Sequence, residues 1–305
     1  MYAPIALFVY SRPLHTKRTI ESLSRCSGAD ESELVIFSDG PKSYEDHENV
    51  SEVRKYISNI SGFKAITTNC HQENLGLAKS VIQGISDIFK KYENVIIIED
   101  DLIFHQDFIL AINNMLTKYQ PYEEIGTVTG YSLPIQIPAS YNYDFYYSLR
   151  HSSWGWGTWK RVWEAVDWGV ADYKEFLNNP INHREFNRAG PDMVNMLKRQ
   201  IHGEIDSWSI VFDYNMYKMG MISVSTRVNL VQNTGFDGSG THCGAVDIFH
   251  NEMPAFSNIG LNNFPSDFLV NSEIEINTYN FFKPNIFKGF FYLFIYKLKT
   301  IMKRN

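Results

Sequence analysis

The chain has 305 residues, 28 basic and 34 acidic side chains for a formal net charge of −6, and 44% hydrophobic residues, a globular composition that excludes fibrous, low-complexity and disordered classes. Its three cysteines, Cys26, Cys70 and Cys243, have no paired spacing, which excludes a disulfide framework or zinc ribbon and fits a reducing, cytoplasmic setting. A mildly acidic chain does not suit nucleic acid as a partner, and its aromatic share of 15% suits both a core and the faces of sugars.

The apolar run IALFVY at 5–10 comes almost at once, without a basic segment and long apolar stretch before it, so it reads as a buried strand and not a signal peptide. Further β-rich runs begin at 34 (LVIF), 64 (KAITT) and 95 (VIIIE). Between them the period is helical: Ile20 and Leu23 share a face in 16–25, Val50, Val53 and Ile57 in 46–58, and Leu77, Val81, Ile85 and Phe89 in 77–92. Repeats of about 30 residues are the length of a βα unit. The first hundred residues therefore predict a parallel sheet covered by helices, with ligands at the carboxyl ends of its strands.

Those ends carry Ser11 and Arg12, then Ser38, Asp39 and Gly40, then Asn69 to Gly76, and finally Glu99, Asp100 and Asp101. Any one of them alone is an ordinary turn or helix-capping residue. Together they set one basic residue and several carboxylates on a common edge. Three adjacent carboxylates raise one another's pKa unless a cation lies between them. Hard oxygen donors without neighbouring Cys or His suit Mg2+ or Mn2+ holding a diphosphate. Neither a G-x-x-x-x-G-K-[ST] loop nor a G-x-G-x-x-G after the first strand is present, so phosphate would be held by metal and side chains.

After Gly130 the pattern turns aromatic and reaches HSSWGWGTWKRVWE at 151–164. Trp154 and Trp156 sit in its glycine turn, where they are expected to stack on a sugar of the acceptor. Trp159 and Trp163 fit the core face of a helix equally well. Ser207 to Met219 predicts an amphipathic helix behind an acidic entry. Asp206 is either its N-cap or a general base, with Glu204 as the substitute base. The stretch 228–244 runs from a β-rich segment into a glycine-rich loop that suggests a lid, with His242 as a metal or phosphate contact or simply exposed.

No acidic residue follows Glu275, whereas six basic residues do, among many aromatics. The apolar run FFYLFIY at 290–296 is too short to span a bilayer, which takes about 20 residues. An amphipathic helical tail on an anionic membrane surface is expected, the alternative being a helix docked on the protein's own core.

The ordered set of SRP after the first strand, SDGPK after the second, NLGLAKSVIQGI, IIIEDDL, WGWGTWKRVW and IDSW resembles bacterial sugar transferases of the GT-A fold, close to the inverting N-acetylglucosaminyltransferase I family and more loosely family 2. The resemblance covers about residues 3–245. It implies an α/β nucleotide-diphospho-sugar transferase fold, a mainly parallel mixed sheet flanked by helices. Residues 1–275 would form the transferase domain, with a nucleotide-binding half at 1–101 and an acceptor and lid half at 102–275, leaving 276–305 as the basic aromatic tail.

The implied activity is inverting transfer from a UDP-sugar, UDP-GlcNAc or similar, to a hydroxyl of a glycan or lipid-linked acceptor. Mn2+ or Mg2+ would serve as cofactor, and the setting would be surface glycan biosynthesis at the cytoplasmic face of a bacterial membrane. On the matching positions, Arg12 would meet uracil or diphosphate, Asp39 would read uracil, and Lys79 would join the donor contacts. Asp101 would bind the metal, Asp100 would face the ribose and Glu99 would support the site. The family's base lies in a tryptophan-flanked acidic pair, whereas here Asp206 is followed by Ser207 and then Trp208, so one carboxylate is absent. Two rival readings are a nucleotidyltransferase, which usually opens with a glycine-rich loop that Ser11-Arg12-Pro13 is not, and a non-catalytic carbohydrate-binding protein resting on the tryptophans.

Overall fold

The computed structural model describes residues 2–237, 247–256 and 258–283. The four apolar runs form β1 (Ile5–Val9), β2 (Glu33–Ser38), β3 (Ala65–Cys70) and β4 (Asn94–Glu99), joined by α1 (Pro13–Leu23), α2 (Asp46–Ile57) and α3 (Leu77–Ile88). Pro13 suits the start of α1, where its missing N–H has no partner to lose. Gly76 begins α3 with φ at +79°, a backbone that side chains rarely adopt. All four strands run parallel, and their register is level: Val9 pairs with Ser38, Ser38 with Cys70, and Phe8 with Glu99. That register is what brings the polar strand ends together.

The remaining elements are β5 (Leu102–Phe104), α4 (Phe108–Tyr119), β6 (Ile125–Thr129), β7 (Phe145–Ser148), β8 (Trp156–Trp159), α5 (Lys160–Trp163), α6 (Tyr173–Leu177), α7 (Pro180–Phe186), α8 (Met193–Ile201), α9 (Trp208–Lys218), β9 (Ile222–Thr226), β10 (Val231–Asn233) and α10 (Ser272–Phe282). The central sheet has the order β3-β2-β1-β4-β8-β6-β9-β7. Strand β8 is antiparallel to both β4 and β6, β6 and β9 are parallel, and β7 closes the edge antiparallel to β9. The α/β class and the mainly parallel mixed sheet flanked by helices are as the sequence predicts. A separate two-stranded ladder pairs β5 with β10.

Strand β8 corrects the reading of the tryptophan segment. Trp156 to Trp159 is the strand that joins the parallel β3-β2-β1-β4 half of the sheet to the β6-β9-β7 half, and a strand there is covered on both faces. On one face Gly157 leaves space that α4 fills, since a β-carbon would sit 3.2 Å from Ile112 and Leu116. On the other, Trp156 stacks on Trp208 of α9 with ring centroids 5.4 Å apart. Trp156 is 0% exposed. It is a core residue and cannot stack on an acceptor sugar.

Helix α10 runs through the expected boundary between residues 275 and 276. Its N-cap Asn271 accepts hydrogen bonds from the amides of Glu273 and Ile274. Arg188 grips Glu275 at 2.8 and 2.9 Å, and Phe282 lies 3.6 Å under the guanidinium of Arg150. Residues 276–283 thus pack with the body, and the rest of the tail lies outside the described residues. Among those described, no helix is long and apolar enough to cross a membrane.

Candidate functional site

Because β1 and β4 are neighbours, the residues just past them meet. Arg12 donates through Nη2 to Asp100 and lies 3.0 Å from Asp101, and the amide of Tyr10 donates to Asp100 at 3.3 Å. Thr19 of α1 holds the carbonyl of Asp100 at 2.8 Å. The first turn after β10 holds the next carbonyl: Thr234 donates to Asp101 O through its amide at 2.8 Å and its hydroxyl at 2.9 Å. Beyond it, Asp237 reaches His15 of α1 at 3.2 Å.

The electrostatics follow from burial. Glu99, at the end of β4, has its carboxyl pushed up to about 8 by burial and by the charges of Asp101 and Asp100, with Arg12 opposing. Asp100 is also raised, burial outweighing Arg12. Burial acts to lower Arg12, but the two aspartates more than offset it and keep the guanidinium charged.

Two atoms in this cluster are buried without a hydrogen-bond partner, Oδ1 of Asp101 and Nη1 of Arg12. A bare buried carboxylate oxygen fits a cation, and a bare guanidinium nitrogen fits a phosphate oxygen. Among the described residues no group of three His, Cys, Asp or Glu side chains is arranged to hold a metal alone. The donor types therefore fit a hard divalent ion of the kind bound by one or two carboxylates plus substrate phosphates, for which Asp101 Oδ1 would be the available protein oxygen.

Asp39 sits at the same edge but faces a loop. Its Oδ1 accepts from the amides of Gly40 and Leu75 at 2.9 and 2.8 Å, and its Oδ2 from the amide of Gly76 at 3.1 Å. With Asp39 only 6% exposed, its carboxylate holds the 72–76 loop through these amides. Arg54 of α2, which the sequence reading did not single out, supports this corner by donating to Ser38 Oγ at 3.1 Å, Asp39 O at 3.2 Å and His71 O at 2.5 Å.

Lys79 is exposed on the first turn of α3. Asp206 is exposed too, and its Oδ2 lies 3.7 Å from where a β-carbon on Gly76 would stand. The N-cap position of α9 is taken by Ser207, whose side chain makes no capping hydrogen bond, so Asp206 stands one residue outside the position considered for it. Glu204 lies farther out, 56% exposed and 3.5 Å from Arg199. His242 lies outside the described residues.

Trp154 stands beside the acidic edge. Its ring is edge-on to Phe236 at 5.9 Å, next to the turn that holds Asp101, and edge-on to Tyr131 at 4.7 Å and Phe249 at 5.6 Å. Behind it a cavity of about 200 Å³ opens, lined by His151, Asp213 and Arg150 among others. None of these three was singled out from the sequence. Asp213 left a signal there, as a charge within the apolar run IVFDY of a predicted amphipathic helix.

No protein-family model and no curated protein sequence matches the chain. Similar solved structures include S. aureus TarS (11% identity over 55% of this chain and 30% of that one, TM-score 0.36) and residues 1–349 of TarS (10% over 77% and 61%, TM-score 0.41). Another is the mannosyltransferase PcManGT from Pyrobaculum calidifontis in complex with GDP-Man and Mn2+ (13% over 72% and 69%, TM-score 0.40). The chain thus spans under a third of the first of these structures.

Proposed function

We propose that the chain is a metal-dependent inverting glycosyltransferase of GT-A type that moves a sugar from a nucleotide donor, UDP-GlcNAc or similar, to a hydroxyl of a glycan or lipid-linked acceptor. The observation that carries this is the two buried, unpartnered atoms at the strand edge, Asp101 Oδ1 and Arg12 Nη1. The two residues are ion-paired through Oδ2 and Nη2, so each keeps one further atom unused, an acceptor on Asp101 and a donor on Arg12, and a metal-bound diphosphate would engage both. The ion, Mn2+ or Mg2+, would supply Lewis-acid stabilisation of the leaving diphosphate. Arg12 offsets the same negative charge, Asp100 holds Arg12 in place, and Glu99 supports the strand end. Asp39 positions the 72–76 loop along the donor, and Lys79 offers its ammonium from the helix that follows.

For the base, Asp206 is favoured over Glu204 because its carboxylate borders that loop while Glu204 faces Arg199. Asp206 would take the proton of the acceptor hydroxyl as the hydroxyl attacks the anomeric carbon from the side opposite the diphosphate. A screen of nucleotide-sugars for Mn2+-dependent hydrolysis tests the reading. Asp101→Ala should abolish turnover and Mn2+-dependent UDP binding, and Asp206→Asn should lose turnover while keeping donor binding. Wild-type rates in Asp101→Ala sink the metal assignment, and release of pyrophosphate in place of UDP points to a nucleotidyltransferase. The basic and aromatic residues of the tail would set the enzyme on the anionic inner surface of a membrane.

A further inference from the structure

The cavity behind Trp154 lies between β7, the turn at 150–154, α9 and α10. Its polar groups are hydroxyls, an imidazole, a carboxyl and a guanidinium. Ser153, Ser209 and Thr278 bring hydroxyls to its wall. Both ring nitrogens of His151 are buried with no partner, although a neutral imidazole has one hydrogen to donate and one lone pair to accept with. Burial, aided by Arg150, holds that ring neutral by pushing it down to about 3. Among the described residues the one cation on the wall is already engaged: Arg150 grips both oxygens of Asp192 at 2.8 and 3.0 Å and has its face against Phe282. Asp213 accepts from the amide of His151 at 2.8 Å. Among the described residues an anionic ligand would find a carboxyl and no free cation, whereas a ligand bearing several hydroxyls would find donors, acceptors and aromatic faces together.

We infer that this cavity seats a neutral sugar ring, the terminal residue of the acceptor, with His151 and Asp213 on its hydroxyls and Trp154 between it and the acidic edge. This rests on the transferase reading above and adds to it where the acceptor binds and that the bound residue is uncharged. The size agrees, since water takes roughly 30 Å³ per molecule and a cavity of about 200 Å³ has room for one ring. Helix α10 supplies Thr278 and Phe282 to the wall, so the helix that leads into the basic tail also closes the acceptor seat.

The test needs neither donor nor metal. The full chain is titrated with glucose, galactose and N-acetylglucosamine to about 100 mM, a range set by a Kd on the order of 1 mM for a ligand of that size, and followed by thermal unfolding. At least one sugar is expected to raise Tm saturably, as binding to the folded state must. Glucose 6-phosphate and inorganic phosphate are expected not to. His151→Phe keeps a ring but removes both nitrogens and should weaken the response about tenfold, the loss of roughly one hydrogen bond. If that variant does not fold, Ser209→Leu, which fills the cavity from the first turn of α9, should abolish the response. No saturable shift in the wild type, a linear rise shared equally with sucrose as an excluded osmolyte, or an undiminished response in the variant that folds overturns the inference. Mn2+-dependent hydrolysis of nucleotide-sugars is measured in parallel. Hydrolysis without sugar binding removes the seat and leaves the transferase, whereas sugar binding without hydrolysis removes the transferase and leaves the seat.

Discussion

Gly235 lies against the carboxylate of Asp101 so closely that a β-carbon on it would overlap Oδ2, the oxygen that also faces Arg12. A strand on the far side of the chain in sequence, β10, therefore delivers the residue that shapes the acidic edge. Gly235→Ala is expected to push Asp101 off Arg12 and to cost about 1–3 kcal/mol, the usual range for an added carbon in a filled site. Urea unfolding checks the stability, and Mn2+-dependent UDP binding should fall at the same time. Unchanged binding with full stability would mean that the turn after β10 yields freely and does not define the site.

Asp213 makes stability depend on pH. Burial pushes its carboxyl up to about 7, against the opposing effects of Arg150 and the amide of His151. The folded state therefore holds a proton that the unfolded chain, with the ordinary carboxyl value of 3.8, has already lost between those two pH values. Stability from this residue is full below about pH 4 and declines as pH rises to about 7. Asp213→Asn keeps an acceptor for the His151 amide and removes the ionisation. It should stabilise by about 2–4 kcal/mol at pH 8 and by little at pH 4. A difference between variant and wild type that does not change with pH would refute the assignment.

The two tryptophans of the glycine turn should behave in opposite ways. Trp156→Ala removes a fully buried ring from the central strand and is expected to cost about 3–5 kcal/mol. Trp154 is only half-buried, so Trp154→Ala should cost less and act on acceptor use, raising the acceptor KM. Circular dichroism melts and acceptor titrations of the two variants separate these effects. Equal destabilisation by both would place Trp154 in the core as well.

Removing residues 284–305 should release the protein from anionic vesicles while leaving the melting temperature within a few degrees, because α10 with its contacts to Arg188 and Arg150 is retained. Co-sedimentation with phosphatidylserine and with neutral phosphatidylcholine vesicles reads the first effect. Equal binding of full and shortened chains, or a large fall in melting temperature, would assign the tail to the core.

What was legible in the sequence was whatever local periodicity encodes. The recurrence of apolar runs and helical faces up to Glu99 placed four strands and three helices within a few residues of where they lie, and alternation of βα units dictated a parallel sheet with its polar ends on one edge. Arg12, Asp100 and Asp101 could be grouped for that reason alone. Ser207 to Met219 was likewise readable as a helix, while the position of its cap, considered at Asp206 and found at Ser207, was not. Capping depends on where the chain turns, and here Gln200 draws the amide of Ser207 at 2.6 Å.

Tertiary structure alone decided the fate of residues whose partners are distant. Trp156 carries the same local signal as Trp154, but strand β8 enters the middle of the sheet between β4 and β6 and takes one indole into the core while the turn before it leaves the other near the surface. Asp39 looks like an open carboxylate until the loop at 72–76 folds over it. His151 and Asp213 are 62 residues apart, and no periodicity could announce that the turn after β7 and helix α9 would bring them to one cavity. Local pattern sets which elements form and which way they run. The desolvation and close contacts that give a side chain its chemistry arise only when elements remote in sequence are packed together.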